Sequence, residues 1–128
     1  MELSLYQIDA FTDHLFSGNP ACVVPLTKML PDALLLKIAQ ENAVAETAFF
    51  LIKDQKIFLR WFTPEVEMDL CGHATLATAH CLKTILQFSE NIFKFETLSG
   101  ILVVEFKDGL YHLNFPSRMP KKFKLTSL

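Results

Sequence analysis

The sequence predicts an α+β domain in which a curved, mainly antiparallel sheet, or partial barrel, wraps one central buried helix. Three observations predict it. Seven short segments read as strands, and the turns between neighbouring strands are too short for parallel crossovers. One helix, Gly72–Phe88, is apolar around most of its circumference, the pattern of a helix buried on all sides. The 128 residues are 51% hydrophobic and 20% charged and include twelve Phe, which suits a single well-filled core. Such a composition lies far from that of a disordered chain.

The elements follow in order. Leu3, Leu5, Gln7 and Asp9 alternate with Ser4, Tyr6 and Ile8, an opening strand with a buried face. Phe16-Ser17-Gly18-Asn19-Pro20 is a turn, and Ala21–Pro25 a short β-branched strand. Pro31 marks a helix start, and Leu34, Leu35, Ile38 and Ala39 keep helical spacing to about Asn42. Thr47–Lys53 and Lys56–Phe62 flank Asp54-Gln55 as a hairpin, closed by Thr63-Pro64. After Gly72–Phe88 come three strands, Ile92–Thr97, Ile101–Phe106 and Leu110–Phe115, with turns at Ser99-Gly100 and Asp108-Gly109. No internal repeat or low-complexity segment interrupts them, and the chain after Pro116 has no clear periodicity.

Charge and composition narrow the function. A net charge of −2 argues against nucleic acid as main partner, and the basic run Arg118–Lys124 reads as a solvated linker or strand end. Met1–Phe11 is no secretory signal, since it alternates and carries Glu2 and Asp9. No apolar run reaches the roughly 18 residues of a membrane span. Three sparse cysteines, Cys22, Cys71 and Cys81, suit reduced thiols, so a cytoplasmic chain is expected. Walker, dinucleotide and Gly-x-Ser-x-Gly signatures are missing. Zinc is not expected at Cys71, His73, His80 and Cys81. The two histidines stand about 10 Å apart along a helix, whereas helical ligand pairs use i, i+4 spacing. His14 and His112 read as structural.

Two places carry chemistry. Glu46 is the only ionisable residue between Glu41 and Lys53 and opens an apolar strand. Desolvation there disfavours a carboxylate, and a carboxyl group tuned toward neutrality can both donate and accept a proton. A strand-end Glu turned to water is the plainer alternative. Cys71-Gly72-His73 stands at the front of the buried helix, where backbone N–H groups and the helix dipole favour an anion. Gly72 permits close approach of a carboxylate or oxyanion to the backbone, and His73 can donate a hydrogen bond or move a proton. A Cys in that field has its thiolate favoured. The alternative is a capping or surface His73 and a space-filling Cys71. Asn19 offers an amide to a ligand or merely caps its turn.

The segments IDAFTDHLFSGNPACVV, ENAVAETAFFL, LRWFTPEVEMDLCGHATLATAH and FETLSGILVV, in this order and spacing, resemble the PhzF-like proteins, the phenazine-biosynthesis isomerase family, related in fold to diaminopimelate epimerase. The likeness spans about Leu3 to Pro116 and implies a cofactor-independent isomerase acting by proton transfer on a small carboxylate-bearing or conjugated substrate. It implies Glu46 as general acid/base and His73 as a substrate contact. Cys71 stands where epimerase relatives carry a catalytic Cys, though many family members keep one without that chemistry. Family members have two similar lobes, and the second brings a catalytic Asp and a Gly-rich oxyanion loop. The resemblance therefore implies one amino-terminal lobe, residues 1–116, followed by a tail, 117–128, leading toward an absent second lobe. It also implies completion by a homodimer or by a separately encoded half. A lobe surviving as a non-catalytic, protein-binding module is the alternative, and a thiol-based epimerase using Cys71 a further one.

Overall fold

The computed structural model describes residues 2–10, 19–42 and 46–114, except the side chains at positions 9, 10 and 19. The turn residues 16–18, His14, the strand end at 115–116 and the tail at 117–128 lie outside the described residues. Among the described residues the elements are β1 (Tyr6–Ala10), β2 (Asn19–Leu26), α1 (Asp32–Asn42), β3 (Glu46–Lys53), β4 (Lys56–Phe62), β5 (Glu67–Met68), α2 (Gly72–His80), β6 (Ile92–Thr97), β7 (Gly100–Lys107) and β8 (Leu110–Asn114).

The strands form one sheet in the order β1-β2-β3-β4-β6-β7-β8, with β5 paired to β4. Neighbours are antiparallel except β2–β3 and β4–β6. Each parallel pair is bridged by a helix, which supplies the crossover that a short turn cannot. The hairpin turns are tight because the chain accepts left-handed backbone there: Asp54 and Gln55 have φ of 53° and 64°, Asp108 and Gly109 of 55° and 77°. Two such residues in succession make the turn whose twist matches that of paired strands.

Strand alternation sorts the residues onto two faces. Ala48 and Phe50 of β3, Leu59 and Trp61 of β4, and Phe93 and Phe95 of β6 face inward onto α2. Phe49 and Leu51 face outward onto α1, whose Leu35 and Ala39 are fully buried. Helix α2 touches β1, β2 and β3 at one end of the sheet and β8 at the other. The sheet is thus a half-barrel curled around one helix. That enclosure explains the small residues of α2: Ala74, Ala77 and Ala79 are completely buried and leave room for the large inward side chains. Its buried Thr75 and Thr78 return their hydroxyls to Cys71 and Ala74 carbonyls, at 2.7 and 2.8 Å, so neither of these hydroxyls is buried unpaired.

Three elements differ from the sequence reading. Strand β1 begins at Tyr6, not Leu3. The long second helix is α-helical only to His80; Cys81–Ile85 is a π-helical turn. There Leu86 N–H bonds Cys81 C=O at 2.9 Å, and Gln87, with φ of 59°, breaks the helix. The wider turn buries Leu82 fully and brings Phe88 against the core. Finally, β5 is a two-residue strand held by pairing of Glu67 and Met68 with Phe62 and Trp61.

At the far end of α2, His80 Nδ1 lies 2.9 Å from the Tyr111 hydroxyl, joining the helix to edge strand β8. Tyr111→Phe keeps the ring and removes this bond. Urea denaturation is expected to show a loss of about 1 kcal/mol. An unchanged midpoint would mean that the bond contributes nothing net to the curl.

Candidate functional site

The front of α2 is built by the loop that enters it. Cys71 is its N-cap, extended at φ −148° and ψ 98°, and makes no side-chain cap hydrogen bond. The helical ladder starts with Thr75 N–H on Cys71 C=O at 3.1 Å. The amides of Gly72, His73 and Ala74 therefore precede the ladder, and those of His73 and Ala74 turn toward the Cys71 sulfur. Thr75 Oγ1 also donates to Cys71 C=O, and it accepts the Trp61 indole N–H at 3.0 Å. Upstream, the Ser99 hydroxyl donates to the Asp69 carbonyl.

Cys71 is buried and its thiol is pushed up to about 11. Burial is the main cause; the Ala74 amide pulls the other way, the Glu46 carboxylate adds to the rise, and the His73 amide again opposes it. These amides lean on the sulfur without closing a cap bond. Glu46 and Cys71 thus share one electrostatic neighbourhood. Cys81, on the same helix, is likewise raised to about 11 by burial.

These thiols make stability depend on alkaline pH. The folded chain holds both protons more tightly than the unfolded one, so the contribution is whole below the ordinary thiol value of 9.0 and is lost as pH rises through about 11. Stability is expected to fall by on the order of 5 kcal/mol across that window, about half of it from each thiol. Urea midpoints at stepped pH should record it, and Cys81→Ala should flatten the decline. A midpoint in the parent chain that holds constant over the window would contradict this.

The structure places the other sequence-derived residues as follows. Glu46 is half-buried, opens β3 opposite Ala21 of β2, and shares the inward alternation of Ala48 and Phe50. Asn19 opens β2, two positions before that register pair, and its side chain lies outside the described residues. Gly72 and His73 are half-buried at the helix front, and His73 Nδ1 is sequestered from solvent. Glu46, Cys71, Gly72 and His73 therefore gather at one end of α2. His80 and Cys81 stand at its other end, and His112 is exposed on β8. Chemically, the gathered set offers a carboxyl that can carry a proton beside a helix front that favours negative charge.

The sequence reading passed over three residues of this region: Trp61, Thr75 and Ser99. One signal was available, since Trp61 is the only tryptophan of the chain. Indole N–H groups seek a partner when buried.

The model of the PhzC-PhzF family, phenazine biosynthesis-like proteins, matches residues 8–124. The chain belongs to this family. As a PhzC-PhzF chain it is 48% identical over 121 residues to an uncharacterized isomerase of Pseudomonas aeruginosa, covering 94% of itself and 47% of that protein. It superposes on a crystal structure of a phenazine biosynthesis protein of the PhzF family from Enterococcus faecalis with a TM-score of 0.82 and 48% identity, over 87% of itself and 43% of that chain. It also superposes on a predicted epimerase of Pseudomonas aeruginosa with a TM-score of 0.72 and 25% identity, over 80% of itself and 38% of that chain. The PhzC-PhzF chain thus spans about half the length of the curated relatives it matches. Among the described residues no helix is long and apolar enough to cross a membrane.

Proposed function

We propose that this chain is one lobe of a PhzC-PhzF-type isomerase that moves a proton on a small carboxylate-bearing substrate. Glu46 takes the proton and returns it. The amides at Gly72 and His73, with the His73 side chain, hold the negative charge that develops when the proton leaves. Cys71 and Asn19 border the substrate, which lies over the helix front. The step asks only for a group that accepts and then donates, so no organic cofactor or metal enters it.

One observation carries this reading: Glu46, on the inward alternation of β3, is near enough to the helix front for its charge to act on the Cys71 thiol. An isomerase and a predicted epimerase among the relatives support it. Those relatives are roughly twice as long. In this reading a second lobe, matching the further length of those relatives, closes the site, excludes water and strengthens its dipoles.

The test is solvent deuterium incorporation into a panel of small carboxylates, read by mass spectrometry. The chain is assayed alone and with the remaining part of a full-length relative supplied as a separate polypeptide. Incorporation that rises on mixing supports the isomerase lobe. Stable association without incorporation under either condition favours the second reading, a partner-binding module, to which the half-length match points.

A further inference from the structure

We infer that the Thr97–Gly100 turn and the buried Trp61–Thr75 pair act together as a positioning device for the front of α2, with Ser99, Thr75 and Trp61 as positioning residues. This rests on the proposed reading of that helix front as the substrate's charge cradle.

The segment that needs positioning is Asp69–Cys71. It lies between a two-residue strand and the helix, so no backbone ladder of its own fixes it. Side chains from the helix itself and from the distant β6–β7 turn grip it instead. Thr75, whose N–H opens the helical ladder on Cys71 C=O, binds the same carbonyl again through its hydroxyl. An indole N–H can only donate. Trp61 therefore donates to the Thr75 oxygen, and the hydroxyl proton is left for Cys71 C=O. The chain of bonds has one polarity, from β4 through the helix to the loop.

The second grip comes from the β6–β7 turn. Thr97 Oγ1 donates to Gly100 C=O at 2.7 Å and accepts the Ser99 N–H at 3.0 Å, which shapes the turn without help from the Ser99 side chain. The Ser99 hydroxyl is spent on Asp69 C=O, thirty residues away in sequence. The FETLSG stretch thus has a role at the site although it contributes nothing to the chemistry.

These grips aim the amides. In a planar trans peptide the C=O and the next N–H point in opposite directions. Holding the Cys71 carbonyl to the rear turns the Gly72 N–H forward, and holding the Asp69 carbonyl sets the approach. Charge stabilisation by amides requires placement within roughly 0.5 Å, which an unbraced loop does not supply.

The test uses the full chain and needs no substrate. Cys71, inside the gripped loop, is alkylated with iodoacetamide over a pH series, and the three cysteines are separated by peptide mass mapping. Thr75→Val keeps the volume and removes the hydroxyl; Thr75→Ser keeps the hydroxyl; Ser99→Ala frees the Asp69 carbonyl. Thr75→Val and Ser99→Ala are expected to speed Cys71 alkylation about tenfold through local opening. They should also move its rate–pH midpoint from about 11 toward the ordinary 9.0, with Cys22 and Cys81 unchanged. Thr75→Ser should match the parent. Equal rates in all variants, or acceleration of all three cysteines together, would overturn the inference. Accelerated Cys71 in a chain that never incorporates deuterium would uphold the positioning device and remove the proposed reaction.

Discussion

Glu46→Gln is expected to cut solvent deuterium incorporation by about 10²–10⁴-fold in the assembled site, with circular dichroism and urea midpoint unchanged. The substitution is nearly isosteric, and the residue is only half-buried at the start of β3. Its parallel register with Ala21 is a matter of backbone and survives the change. What the amide loses is the ability to take a proton. A second readout tests the placement apart from the chemistry. The Glu46 charge contributes to the raised Cys71 thiol, so the glutamine variant should lower the pH at which Cys71 alkylation rises. Full turnover in the variant would remove Glu46 as proton carrier. An unmoved alkylation profile would separate Glu46 from the helix front altogether.

Much of this fold was legible because local rules and tertiary packing agree in it. The alternation of β3 and β4 is visible in ETAFFLIK and KIFLRWF, and the same alternation divides the core between α1 and α2. The small residues of α2 announced a helix enclosed by larger neighbours. What was not legible depends on partners distant in sequence. Strand β5 has two residues and exists only because Trp61 and Phe62 pair with it. The π-helical turn at Cys81–Ile85 carries the same residue types as an α-helix; burial of Leu82 and docking of Phe88 decide between them. In the site, Glu46 and the Cys71-Gly72-His73 run stood out as reactive types in apolar surroundings. The groups that brace them did not, since nothing in a Thr at helical spacing or a Ser in a turn discloses a bond to the Cys71 or Asp69 carbonyl.

Trp61→Ala is expected to destabilise the chain by about 3–5 kcal/mol. That is a large share of the roughly 5–15 kcal/mol that holds a domain folded. Trp61 is fully buried on the inward face of β4, beneath the first turn of α2, and it is also one of the two residues to which β5 pairs, through Met68. Truncation leaves a cavity where strand, helix and loop meet, in a shell already filled by Phe50, Leu59 and Phe95. Trp61→Phe separates packing from hydrogen bonding. It keeps most of the ring, removes the indole donor, and leaves the Thr75 oxygen without the proton it accepts at 3.0 Å. Its expected cost is about 1–2 kcal/mol. Circular dichroism in urea is the suitable measurement, since both variants lose the only tryptophan of the chain. A Trp61→Ala loss below about 1 kcal/mol would show that the half-barrel collapses around the gap and that the helix front does not rest on this residue. If Trp61→Phe instead costs little stability yet speeds Cys71 alkylation as Thr75→Val does, the indole nitrogen serves the placement of the loop, and the ring beneath it serves the fold.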